Sequence, residues 1–188
     1  MANLLFILFY MMCLCVYAVM KLAEYILYGI GLRGMAREMG VGNGWLAFVP
    51  FARKYLQGKV SGPITLKGKT IKEPGLWLVL LPFSVGIATG FLAGLVMALV
   101  VVGTLVRSNA IIMIPVTGVA ILAGVVIFLL GLVGTAAQNG LRALVDHQIL
   151  SRYCQGNVLI LHIVFSTIFP LYEAAVFFYY RHHTAARV

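Results

Sequence analysis

Glu173 is the residue of this 188-residue chain whose type and place most invite chemistry. It lies inside the apolar run Asn157 to Tyr180, where an ionised carboxylate is costly unless paired or protonated. His162, Ser166, Pro170, Glu173, Phe177 and Tyr180 follow one another at steps of four and three, the spacing of one helical face. A second stripe of this kind runs along the first apolar segment through Asn3, Phe6, Tyr10, Cys13, Tyr17, Lys21, Glu24 and Tyr28. Two antiparallel helices with these faces opposed would wall a polar cavity for a proton, a cation or a small solute. The candidates for it are Glu173, His162, Tyr10, Tyr17, Lys21 and Glu24, with Glu173 as the titrating group. Counting inward from the outer ends sets Glu173 against Tyr10 or Cys13, and His162 against Tyr17, Lys21 or Glu24. The alternative is structural: the tyrosines hydrogen-bond neighbours in the bundle, His162 is a satisfied core histidine, and Glu173 is protonated or hydrogen-bonded.

Enzyme chemistry has no such pattern behind it. The chain lacks a nucleotide loop and the H-E-x-x-H, C-x-x-C and G-x-S-x-G spacings. Asp146-His147 adjoins Ser151 and Arg152 but lacks a matched nucleophile and a third partner. His182-His183 offers two ligands where a metal site needs three or four. Cys13 and Cys15, two apart on a helix, point to different sides, and Cys154 is alone, so all three read as free thiols. No catalytic residue, metal or cofactor is expected.

The elements that position these residues are membrane spans. The chain is 62% hydrophobic and 10% charged, against roughly half and a quarter in soluble domains. The expected fold is an all-α membrane protein, a single polytopic domain with four transmembrane helices at about 3–22, 76–106, 110–137 and 157–180. An interfacial helical element separates the first two. The uncharged runs Leu76–Val106 and Ser108–Leu141 exceed the roughly 20 residues of a vertical span, which predicts tilting or bending, with Pro82 and Pro115 as bends. Between Arg33 and Glu73 stand eight basic residues (Arg33, Arg37, Arg53, Lys54, Lys59, Lys67, Lys69 and Lys72) and two acidic ones, Glu38 and Glu73. The positive-inside rule makes this loop cytoplasmic and, with four spans, puts both termini outside. Arg107-Ser108-Asn109 forms the outer turn. The net charge of +9 is read as topology and attraction to anionic lipid rather than nucleic-acid binding.

Within the basic loop, Trp45, Phe48, Phe51 and Tyr55 are interleaved with Arg53, Lys54 and Lys59, a mixture suited to the headgroup layer. It reads as a short interfacial helix bent at Pro50. Ile64–Ile71 fits a small hairpin or a plain loop. Gly86, Gly90 and Gly94 form a tandem G-x-x-x-G that, with Ala120 and Gly124, predicts close packing of the second and third helices or a homodimer seam. The expected partners are the bilayer, anionic headgroups and either a second copy or a partner membrane subunit.

The stretch Gly40-Val-Gly-Asn-Gly-Trp-Leu-Ala-Phe-Val-Pro-Phe-Ala-Arg-Lys-Tyr-Leu-Gln-Gly-Lys59 resembles a group of small bacterial membrane proteins, mostly Gram-positive. They carry a similar Trp-x-Ala-x-x-Pro segment after the first span. The resemblance covers about 32–59. It implies an inner-membrane protein and carries over no catalytic residue. Two functions follow as expectations: a transport-type protein with Glu173 in its cavity, or a non-catalytic accessory protein docking lipid or a cytoplasmic partner through the basic aromatic loop.

Overall fold

The structure, a computed structural model, describes residues 2–66, 68–105 and 110–183. The expected outer turn at 107–109 and Lys67 lie outside the described residues. The chain is helical: α1 (Ala2–Glu38), a short 3-10 turn (Gly44–Phe48), α2 (Ala52–Ser61), α3 (Pro74–Leu105), α4 (Ala110–Leu150), α5 (Asn157–Ile168) and α6 (Pro170–Tyr180). Between α2 and α3, β1 (Ile64–Leu66) and β2 (Lys69–Ile71) pair antiparallel, Thr65 opposite Thr70, around Gly68 at φ +82°. The hairpin was one of the two forms expected there. Among the described residues, three helices are long and apolar enough to cross a membrane, over Leu4–Glu38, Pro74–Gly103 and Thr117–Leu150.

Contacts divide the chain into two compact units, Met1–Trp77 with Leu141–Val188, and Leu78–Gly140. In the second unit, a Cβ built on Gly134 would come within 2.6 Å of the Val85 side chain. Built on Gly86, Gly90, Gly94 or Gly124 it would meet nothing within 4 Å, so within the chain the expected close packing of the second and third helices is not made by these glycines.

The first unit holds most of the buried core, including Tyr28, Leu32, Met35, Leu56, Val145, Ile149 and Phe177. The N-terminal part of α1 is different: the large apolar side chains from Leu4 to Leu22 are exposed. The span was expected to end near 22, with the helix free to run on through Tyr28 into 31–40 as an amphipathic extension carrying Arg33, Arg37 and Glu38, and α1 does continue to Glu38. It stops where Gly40 (φ +67°) lets the chain turn, with Gly40 N–H bonded to Arg37 O at 3.1 Å and Val41 N–H to Ala36 O at 2.8 Å. This pair of bonds and the left-handed glycine make a Schellman end.

The expected fourth span is not one helix. Phe169 is extended (φ −118°, ψ 99°), as the residue before a proline prefers, and Pro170 opens a separate α6. The chain then doubles back. The rings of Tyr153 and Tyr180 are 5.3 Å apart, whereas a straight helix would separate these residues by about 40 Å. α6 lies along the C-terminal part of α1 and runs parallel to it, the reverse of the expected antiparallel pairing. Gly31 rests on the backbone of Phe177 and Phe178, and Gly34 on Arg181, so both numbers rise together.

These contacts predict opposite outcomes for two glycines. Gly31→Val, whose Cβ would lie 2.6 Å from the Phe177 backbone, should cost about 1–3 kcal/mol or more by overpacking. Gly90→Leu should stay within about 0.5 kcal/mol of the parent. Thermal unfolding in detergent measures both, and an equal loss at Gly90 would put a packed neighbour on that face of α3.

Candidate functional site

Four helices of the first unit converge on a buried polar cluster. Arg142 and Asp146, four apart on α4, share one helical face. Lys54 and Gln57 come from α2, Glu173 from the first turn of α6, and Tyr28 from α1. Gln57 is the hub. Its Nε2 donates to Asp146 Oδ1 at 2.6 Å and to Glu173 Oε1 at 3.0 Å, and its Oε1 accepts from Lys54 Nζ at 3.3 Å. The Arg142 guanidinium pairs with the other oxygen of Glu173. Gln57, Asp146 and Glu173 are almost completely buried, at 0%, 0% and 1% exposure. Removing one partner from such a buried ion pair costs about 3–5 kcal/mol, because the other charge is left uncompensated.

Cations also reach the cluster over aromatic faces. The guanidinium carbon of Arg53 lies 5.5 Å from the Tyr25 ring centroid and 5.2 Å from that of Tyr28, and Lys54 Nζ lies 5.4 Å from Tyr28. Tyr28 in turn packs against Phe177, ring centroids 5.4 Å apart. Asp146 Oδ2 and the Tyr28 hydroxyl are buried without a hydrogen-bond partner. Below α2, Gly58 and Gly75 bring two backbones together, since a Cβ on Gly58 would fall 2.2 Å from Gly75 N. Arg152 fastens the end of α2, donating to Val60 O at 3.1 Å and Ser61 O at 2.8 Å.

Glu173 therefore faces the protein interior, as its position in an apolar run required, but its partners are Gln57 and Arg142 rather than Tyr10 or Cys13. The other candidates do not join it. Tyr10 and Tyr17 are exposed. Lys21 pairs with Glu24 at 2.8 Å on the surface of α1. His162 Nδ1 lies 2.6 Å from the Tyr172 hydroxyl, across the α5–α6 turn. The expected cavity between the first and last helices is replaced by direct packing of α1 on α6. The partners that sequence reasoning did not bring to Glu173 are Gln57 and Arg142, together with Asp146, weighed only beside His147, and Tyr28, which lay on the stripe of the first helix. The four-residue step from Arg142 to Asp146 and the three-residue step from Lys54 to Gln57 were the available signals.

The expected interfacial set also divides. Trp45 and Phe51 are 62% and 66% exposed, and Lys59 is exposed with them. Arg53 and Lys54 turn inward onto Tyr28. The Phe48 ring packs against Gly29, and its carbonyl accepts the Tyr25 hydroxyl. Tyr55 is half-buried, its carbonyl against Gly75.

Among the described residues, one cleft lies beside Tyr55, Lys59, Lys72 and Gly75, and another along α4 at Phe128, Thr135 and Asn139. Neither is lined by Glu173. The arrangement at Glu173 is thus a clamp of internally bonded charges joining α2, α4 and α6. Comparisons with protein-family models, with characterised proteins and with solved structures find no match to this chain. The class defined by the fold is a helical protein with, among the described residues, three membrane-length apolar helices, and with a polar-clamped helical module.

Burial, with the positive charge of Arg142 nearby, pulls the Lys54 ammonium down to about 7, while Asp146 acts in the opposite direction. The groups facing it are Tyr28, Arg53, Gln57, Arg142, Asp146 and, more distantly, Glu24. A folded pKa below the unfolded 10.5 means that the folded chain binds fewer protons in that window. Stability should therefore rise with pH from about 7 to about 10.5 through this group. Lys54→Met should be stabilised relative to the parent below pH 7, and the advantage should shrink as pH rises. Paired melting curves across that range check the sign.

Proposed function

We propose that the chain is a non-catalytic accessory or scaffold protein of the bacterial inner membrane. Three helices anchor it, and the clamped inner module presents aromatic and basic side chains to anionic lipid headgroups. The supporting observation is the division of the basic loop. Arg53 and Lys54 are spent on the internal clamp, whereas Trp45, Phe51 and Lys59 face outward from the same short segment. Rings beside cations are the side-chain mixture that settles at headgroup depth. The eight-to-two charge excess of the loop supports a cytoplasmic side for this module under the positive-inside rule. On this reading the apolar α5–α6 hairpin enters the bilayer from the cytoplasm and returns, which brings the C-terminal segment to the cytoplasmic side instead of outside.

Trp45 fluorescence should be quenched more strongly by shallow brominated lipids than by aqueous iodide. The reverse order would place the segment in water and remove the headgroup reading.

A transport-type role for Glu173 is the second reading, favoured by the unpaired, buried Asp146 Oδ2 and Tyr28 hydroxyl. The charge arithmetic weighs against a cation as cargo, since Glu173 is already paired with Arg142, and Arg53 and Lys54 add positive charge over the Tyr28 ring beside it. Proton flux in proteoliposomes distinguishes the two readings. An accessory protein gives none above the Glu173→Gln variant, whereas a flux abolished by that change would assign transport.

A further inference from the structure

We propose that the cleft between Lys59 and Lys72 is a specific site for the phosphate of one anionic phospholipid. The inference rests on the inner module being a headgroup-docking platform, and it names a stoichiometric site within it.

The cleft has a volume of about 280 Å³ and is lined by Tyr55, Lys59, Lys72 and Glu73 with the glycines of the α2–α3 contact. Its existence follows from that contact. Gly58 and Gly75 allow the two helix backbones to touch, so the first turn of α3 sits directly under α2. The wall opposite is fixed as well: Gln148 donates to Pro63 O at 3.2 Å, and Arg152 holds the carbonyls of Val60 and Ser61 just upstream. Pockets for whole organic ligands run to about 300–1,000 Å³, so this one suits part of a larger molecule.

Charge and polarity together select that molecule. Lys59 and Lys72 against Glu73 leave a net charge of +1, which one phosphodiester neutralises. Glu73 repels a second negative charge, which disfavours a phosphomonoester. Immediately after the cleft, Leu76 and Trp77 are 43% and 54% exposed at the start of the apolar run that α3 carries to Gly103. A charged notch that passes within one helical turn into exposed apolar surface matches an amphiphile, with its phosphate on the lysines and its acyl chains along α3. Free phosphate would use only half of this surface. The start of a membrane-length helix is also where a bilayer places its phosphates.

Native mass spectrometry of the whole protein, released from detergent supplied with phosphatidylglycerol and phosphatidylcholine, tests the proposal. One phosphatidylglycerol should be retained per chain in preference to phosphatidylcholine. Lys59→Gln with Lys72→Gln should weaken retention about 30-fold, at the usual contribution of a lysine near a lipid phosphate. Lys69→Gln, on the neighbouring hairpin, should leave it unchanged. Equal retention by the double variant, no preference between the two lipids in the unaltered protein, or displacement by millimolar inorganic phosphate would each overturn the site. The lipid preference needs no variant to fold. The Trp45 measurement fails separately: bromolipid quenching with no lysine-dependent lipid keeps the platform and removes the site. Iodide quenching with one lysine-dependent lipid does the opposite.

Discussion

A single primary amide carries the clamped helical module. Gln57 has two N–H donors, and each goes to a carboxylate on a different helix, Asp146 on α4 and Glu173 on α6. Two buried carboxylates near one another repel, and each alone would be expensive to desolvate. The amide satisfies an oxygen on both. Arg142 compensates Glu173 from the opposite side, and Lys54 and Arg53 bring positive charge over Tyr28. Without Gln57 the acids would lose their shared donor, and α2 would lose its buried polar attachment to both helices.

That hydrogen-bond geometry is possible because backbones come unusually close. Gly31 and Gly34 let α6 lie on α1, and Gly58 with Gly75 lets α2 lie on α3. Side chains as short as those of Asp146 and Gln57 span only a few ångströms, so thicker residues at these glycines would carry the clamp out of reach. The break at Phe169-Pro170 matters for the same reason. It returns α6 to the end of α4, placing Glu173 beside Arg142 rather than alone in a span. A segment whose ends are clamped in this way can hold Trp45 and Phe51 outward on a short, fixed turn instead of on a loose loop.

Composition and periodicity by themselves determined the class of protein, the long apolar helices, the position of the helical element after α1 and the interior orientation of Glu173. Each is a local consequence: long uncharged runs must be helical in lipid, and a carboxylate in an apolar run must find a partner or a proton. Periodicity could not choose that partner. The stripe on α1 has helical spacing throughout, yet only its inner end at Tyr28 is packed, while Tyr10 and Tyr17 stay exposed. Spacing defines a face and leaves open which neighbour covers it. The same holds for glycine: G-x-x-x-G at Gly86–Gly94 and the Gly31/Gly34 pair are both legible as small faces, and only the latter meets a backbone. The turn at Pro170 was decided at tertiary level too, because a proline in an apolar run fits either a kinked span or the first residue of a new helix. The pairing of α6 with α1 chose the second, and with it brought Gln57, Arg142, Asp146 and Glu173 together from positions up to 116 residues apart in the chain.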